Sequence, residues 1–210
     1  MTRHAKTDSE ILSELQQLAY MYELNSVIRY GLVRDEPHKT QSVSEHITNI
    51  LTCAYFFKDI ITDGDRLDMG IVSRRALIHD IGEIETGDIV TVKKNGDDTE
   101  RERLAIATVV KKVPPKIAEQ LLADFEAVES ATDLEGRFVR AMDKFDGFFF
   151  QSIGGGIHMI RTVTPDIEIR KKYLDSLTGI MENLELPEIV PYVRVACDDL
   201  VQRGYLRNND

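Results

Sequence analysis

His79 and Asp80 stand back to back in the stretch Arg75-Ala-Leu-Ile-His-Asp-Ile-Gly-Glu-Ile-Glu-Thr-Gly-Asp88, at the end of an otherwise apolar helical run. Imidazole nitrogen and carboxylate oxygen are both metal donors. Neighbouring side chains on a helix diverge by about 100°, so this pair can serve one cation only near a helix end or cleft, with further ligands from other segments. Few other imidazoles and acids fall inside apolar helical patterns: His46 and Asp143, with Glu83 and Asp88 just downstream of the pair. Asp143 lies among Val139, Met142 and Phe145, where an ionised carboxylate must be paired, hydrogen-bonded or bound to metal. Taken singly, each is as well explained by a satisfied core histidine, a cap or a salt bridge. Together, two His and two Asp make a nitrogen and oxygen site without thiolate. It suits Mn²⁺, Co²⁺, Fe²⁺, Zn²⁺ or Mg²⁺ without choosing among them. Two carboxylates balance a divalent charge, and incomplete coordination would leave room for water and a phosphoryl oxygen, which is the chemistry of metal-assisted hydrolysis.

The elements that must position these groups read as consecutive helices. Thr7-Asp-Ser-Glu10 is a capping-box pattern for a first helix with Ile11, Leu15, Leu18, Ala19 and Tyr22 at helical spacing, ending before Gly31. Ser42-Val-Ser-Glu45 is a second, followed by Ile47, Ile50, Leu51 and Ala54, which puts His46 in the first or second turn of a core helix. Asp65 can cap a third helix that carries His79-Asp80 near its C-terminal end. Residues 88–98 read as a loop, with Asn95-Gly96 a turn signal, although Ile89-Val-Thr-Val92 could also form a short strand. Thr99-Glu-Arg-Glu102 caps a fourth helix with Leu104, Ala107 and Val110 inward, and Pro114-Pro115 opens a fifth. A sixth, from about Thr132 to Phe150, holds Asp143, and two more follow Pro165 and Ile189. Strands nowhere alternate with helices, so the expected class is all-α.

The 210 residues predict a single domain over 1–210, with a catalytic core over about 10–150 and C-terminal helices of unassigned role over 151–210. Charged residues make up 30% of the chain and the net charge is −10, which excludes a broad basic surface for long nucleic acid. A small anionic substrate would need local cations. No apolar run approaches the roughly 20 residues of a membrane span, and the start is polar, so no membrane partner is expected and a cytoplasmic location is. Cys53 and Cys197 share no CxxC spacing and read as small buried apolar side chains.

His46, His79-Asp80 and Asp143 match the H…HD…D pattern of the HD-domain metal-dependent phosphohydrolases, a helical superfamily. The chain most resembles the branch of HD-domain 5′-nucleotidases that act on deoxyribonucleoside monophosphates. The matching features are Arg29, Val43-Ser-Glu-His46, His79-Asp-Ile-Gly-Glu83 with Gly87-Asp88, and Asp143-Lys144. The resemblance spans roughly residues 12–150. It implies one divalent metal held by His46, His79, Asp80 and Asp143. It implies Glu83, one turn beyond His79 if the helix continues, as general base or proton shuttle, against a solvated acid, and Asp88 as a contact to the sugar or the catalytic water, against an ordinary turn residue. Arg29 would contact phosphate; Lys94 could do the same or sit in a solvated turn. Tyr30 stands where the family often has Trp, and Val90 and Val92 where prolines are common, both on the sugar and base side of the pocket. The expected reaction is phosphate release from nucleoside 5′-monophosphates, with deoxyribonucleotides the substrates that branch implies. The alternatives are another nucleotide (a triphosphate, cyclic nucleotide or alarmone) or a non-catalytic metal-binding scaffold. A homodimer is expected because family members associate and Tyr192, Val195 and Leu200 add apolar positions beyond the core; the same helices could instead simply cover the bundle.

Overall fold

Helical periodicity decides the architecture. The computed structural model describes residues 8–29, 40–88, 96–152 and 167–204. In chain order these form α1 (Asp8–Met21), α2 (Val43–Phe57), α3 (Met69–Ile78), α4 (Glu83–Thr86), α5 (Gly96–Val109), α6 (Pro115–Ser130), α7 (Leu134–Ser152), α8 (Ile167–Asn183) and α9 (Val190–Gln202). The all-α class expected from the sequence is the class observed. Among the described residues the one extended pairing is an isolated antiparallel bridge between Ile28 and Ser42. Arg29 N donates to Gln41 O (2.9 Å) and Val43 N to Val27 O (3.0 Å), which ties Arg29 to the start of α2. No helix among the described residues is long and apolar enough to cross a membrane.

Local chemistry sets the helix ends. The Ser42 capping box is present: Glu45 N donates to Ser42 Oγ (3.2 Å) and Ser42 N to Glu45 Oε2 (2.7 Å), so His46 falls in the first turn of α2. The cap of α3 is Asp68 rather than Asp65; its Oδ1 accepts from Gly70 N (2.8 Å) and Ile71 N (3.2 Å). Asp65 lies in a separate 3-10 turn, Gly64–Arg66, and the extended Leu67 breaks the path between them. Helix α5 begins at Gly96, before Thr99, and buries Ala105, Ile106 and Val109 while Leu104 and Ala107 face solvent. The inward stripe is thus rotated by one residue from the expected one, because small and β-branched side chains fit against the short α4, which packs on α5. Pro115 opens α6 as expected.

Two apolar clusters form the core. One gathers Met21, Leu24, Val43, Ile47, Ile78, Ile81, Ile106 and Val109; the other is built around Phe57, Phe138, Met142 and Phe148. Leu177, Met181, Leu186, Ile189, Val193 and Leu200 of the last third belong to the second cluster. At about 1.5–3 kcal/mol for each fully buried large side chain, that seam makes α8 and α9 part of the bundle. Leu200 is therefore inside, whereas Tyr192 and Val195 stay exposed.

The helix bearing His79 is anchored by a closed ion cluster. Arg75 Nε donates to Asp124 Oδ1 (3.1 Å) and Nη2 to Asp133 Oδ2 (2.8 Å), and Arg74 pairs with Asp124 from the other side. Asp133 Oδ1 also accepts from Gly136 N (2.8 Å) at the start of α7. Gly136 is required there: a Cβ would lie 2.3 Å from Ala127 O, so only glycine lets α7 approach α6 this closely. The cluster fixes α3 against α6 and α7, and hence His79 against Asp143.

Candidate metal centre

His46 of α2, His79 at the end of α3 and Asp143 of α7 offer ligand atoms that all lie within 4.8 Å of one another. His46 Nε2 is 3.1 Å from Asp143 Oδ1 and 3.6 Å from Asp80 Oδ2, and His79 Nε2 is 3.0 Å from Asp80 Oδ2. The four groups singled out in the sequence converge from three segments.

What lies between these atoms is decided by the far sides of the two rings. His79 Nδ1 is 2.8 Å from Ala76 O, and a carbonyl only accepts, so Nδ1 carries the hydrogen. His46 Nδ1 is 2.6 Å from Asp146 Oδ2, and the same logic gives it a hydrogen. Arg29 Nη1 also comes within 2.8 Å of His46 Nδ1; with that nitrogen already donating to Asp146, the guanidinium donates to Gln41 Oε1 (3.2 Å) instead. In the neutral rings both Nε2 atoms then present lone pairs to carboxylate oxygens. His79 Nε2 is buried without a hydrogen-bond partner although Asp80 is within ion-pair distance. Acceptors facing acceptors need a cation between them.

The titration shifts express that need. Burial alone would depress His79, but Asp80, and then Asp143, raise it to about 9. Burial would raise Asp80, yet His79 and His46 hold it at about 2. Asp143 is held well below the usual carboxylate range by Lys144 and His46 against the effect of burial. A proton on imidazole thus stands in for the positive charge that the site demands. Two imidazole nitrogens and two carboxylate oxygens fit a divalent metal of the first transition row or Mg²⁺.

Glu83 reaches the same cavity by a route that the sequence did not suggest. Helix α3 stops at Ile78, and Ile81 N donates to Ile78 O (3.1 Å) and Glu83 N to Asp80 O (3.0 Å) in a tightened turn before α4. The helix does not continue to Glu83, but the tighter turn still brings Glu83 to the cavity wall. Its Oε2 is buried without a hydrogen-bond partner. Burial, then Asp80 and Asp88, push its carboxyl well above the usual value. Gly87 adopts φ 69°, a left-handed conformation natural to glycine, and turns Asp88 to within 3.9 Å of Arg29 Nε.

The cavity, of about 360 Å³, is lined by Arg29, Glu83, Asp88 and Lys144 beside the metal-site groups. Lys144 Nζ donates to Asp143 Oδ2 (2.7 Å). Tyr30 and Lys94 lie outside the described residues. Sequence reasoning missed Asp146 and Gln41, which hold the back of His46: Gln41 Nε2 donates to Asp146 Oδ2 (3.1 Å). The available signal was a second acid three residues after Asp143, on the same apolar face of α7.

A family model described as HD domain matches residues 21–173. The 5′-deoxynucleotidase HDDC2 of Homo sapiens is 29% identical over 134 residues, 63% of this chain and 63% of that protein. A 5′-deoxynucleotidase of Saccharomyces cerevisiae is 28% identical over 50% of this chain and 45% of its own length. The chain thus spans less than two thirds of the length of these relatives. Among solved structures, a protein from Magnetospirillum magnetotacticum named a predicted metal-dependent phosphohydrolase superposes with TM-score 0.70 at 25% identity, covering 96% of this chain and 97% of that one. An HD-domain phosphohydrolase from Listeria innocua has the same fold, with TM-score 0.65 at 18% identity over 91% of both chains.

Proposed function

The chain belongs to the HD-domain family, and from that membership we propose that it is a metal-dependent phosphomonoesterase releasing phosphate from nucleoside 5′-monophosphates, with deoxyribonucleotides as the preferred class. The observation that carries this is the set of imidazole and carboxylate acceptors facing one another across a cation-sized gap, with Arg29 in the same cavity. His46, His79, Asp80 and Asp143 would hold one divalent ion. Bound there, the ion supplies Lewis acidity toward a phosphoryl oxygen and acidifies water.

The protein's own groups do the rest. Arg29 offers a planar, permanently charged fork to phosphate oxygens, and Lys144 adds a second cation at the cavity wall. Glu83, with a raised proton affinity and Oε2 directed to no other partner, takes the proton from the attacking water. Asp88 steadies Arg29 and faces the sugar. The similarity to enzymes named 5′-deoxynucleotidases supports the monoester substrate.

The test is metal-stripped protein reconstituted in turn with Mn²⁺, Co²⁺, Mg²⁺, Fe²⁺ and Zn²⁺ and assayed on ribo- and deoxyribonucleotides. Inorganic phosphate plus nucleoside is the expected product pair. Release of pyrophosphate or triphosphate would replace the monoesterase assignment with another nucleotide, and metal binding without turnover would leave a scaffold.

We also propose a single domain and a homodimer. Tyr192, Val195, Phe56 and Phe149 leave apolar surface beside α9. Light scattering should give about twice 23.9 kDa; the monomer mass at high micromolar concentration would refute the dimer. Free Cys53 and Cys197 fit the reducing cytoplasm, the compartment we assign.

A further inference from the structure

The catalytic cavity does not end at its own far wall. A second hollow, of about 520 Å³, runs between α5 and α6, and Glu102, Ile106, Phe125 and Glu129 line both. On its outer side it is floored by Ala107 and Leu122, the latter 52% exposed. These four shared residues form the neck between an inner chamber and an outer groove.

The charged groups along this path are unevenly distributed. The inner chamber presents all three cations of its lining, Arg29, Arg140 and Lys144, with Glu83, Asp88 and the metal-site groups. At the neck, Glu102 from α5 and Glu129 from α6 stand with the apolar Ile106 and Phe125. An anionic group held at the inner end is therefore followed by carboxylates. A second phosphate extending outward would meet three carboxylates, Glu102, Glu126 and Glu129, against one guanidinium, Arg103. A neutral, flat, partly apolar group would instead meet an aromatic ring and aliphatic side chains.

We propose that the α5–α6 groove is the nucleobase subsite, with Phe125 as its specificity-determining ring and Ile106 and Leu122 as its apolar support. This rests on the phosphomonoesterase function proposed above, since it takes the phosphate to lie at the inner end. The ester oxygen and sugar then span the neck, and the base lies on Phe125 in the groove. Stacking of a base on an aromatic side chain tolerates different bases, so the subsite selects nucleotides over simple sugar phosphates more than one base over another.

The experiment compares wild type, Phe125→Leu and Leu122→Glu, with metal content and thermal melting checked for each. Leu122 is exposed, so its replacement keeps the comparison independent of folding. Two readouts are taken: the ratio of kcat/KM for a deoxynucleoside 5′-monophosphate to that for deoxyribose 5-phosphate, and NMR saturation transfer from protein to the base protons of the free deoxynucleoside. Phe125→Leu should lower the ratio about tenfold, chiefly through KM for the nucleotide. Leu122→Glu should lower it in the same direction, and both variants should lose saturation of the base. An unchanged ratio in both, or no saturation of the base by wild type, overturns the subsite. If wild type binds the base but hydrolyses neither ester, the proposed activity fails while the subsite stands.

Discussion

Arg75 and His79 lie one turn apart, at the end of α3, yet they belong to two charge clusters of opposite character. Around Arg75 every guanidinium nitrogen has an acceptor: the group spans Asp124 and Asp133, and Arg74 completes Asp124. Both carboxyls are held below their usual values, Asp124 against its burial by Arg74 and Arg75, and Asp133 directly by Arg75. Around His79 the hydrogens point outward, to Ala76 O and Asp146, and the acceptors point at one another. A complete cluster secures helices and needs nothing more. An incomplete one, tolerated in a buried place, is a site for something that the polypeptide does not supply.

The contrast breaks most sharply at Asp80. Asp80→Ala removes one of the two carboxylates that balance the cation, and should abolish both metal retention and activity, measured as metal per chain after gel filtration and as phosphate release. Full metal content in that variant would remove Asp80 from the ligand set. Next comes Glu83→Gln, which keeps size but not basicity. Metal content should survive while kcat falls by roughly 10²–10⁴-fold; undiminished turnover at full metal occupancy would strike Glu83 from the mechanism.

On the closed side, Arg75→Ala leaves Asp133 without its main partner and Asp124 with Arg74 alone, and should destabilise the fold by about 2 kcal/mol in urea unfolding. The metal affinity of the folded fraction should not change. The folded pKa values of both acids are depressed, so their contribution is present above the unfolded carboxylate range and is lost as pH falls through the folded values. Wild type should therefore lose stability on acidification more steeply than Arg75→Ala. Equal pH profiles would mean that the cluster does not anchor α3.

The open cluster was the more legible of the two in the sequence. His46, His79, Asp80 and Asp143 are polar residues in apolar helical runs, and such interruptions are visible without coordinates. The helices were legible for the same reason, through the Ser42–Glu45 box and Pro115. Arg75 was not, because a basic residue at a helix end reads as solvent-facing until Asp124 and Asp133, about fifty residues away, are known to meet it. The stripe of α5 was misjudged because α4, only Glu83–Thr86, accepts Ala105 and Ile106 where a longer partner would take Leu104. The break after Ile78 was hidden too, since His79 to Gly82 carry no strong helix breaker before Gly82.

Asp146 is the residue at which the two kinds of cluster meet, and it gives the subtlest test. It is buried, its Oδ2 accepts from His46 Nδ1 (2.6 Å) and Gln41 Nε2 (3.1 Å), and Arg29 Nη1 is 3.8 Å away. The carboxylate thus fixes the tautomer that leaves Nε2 free to bind a cation, and it places a negative charge behind the ring. In Asp146→Asn the amide oxygen can still accept both hydrogen bonds, so ring orientation survives and only the charge is lost. Metal affinity should fall about 10–100-fold, read by competition with a chelator, while kcat at saturating metal returns close to wild type. Asp146→Ala removes the acceptor as well, frees the ring to turn, and should lower both affinity and saturated kcat. Unchanged affinity in both variants would show that His46 does not need its back held. It would then be a neighbour of the metal rather than its ligand.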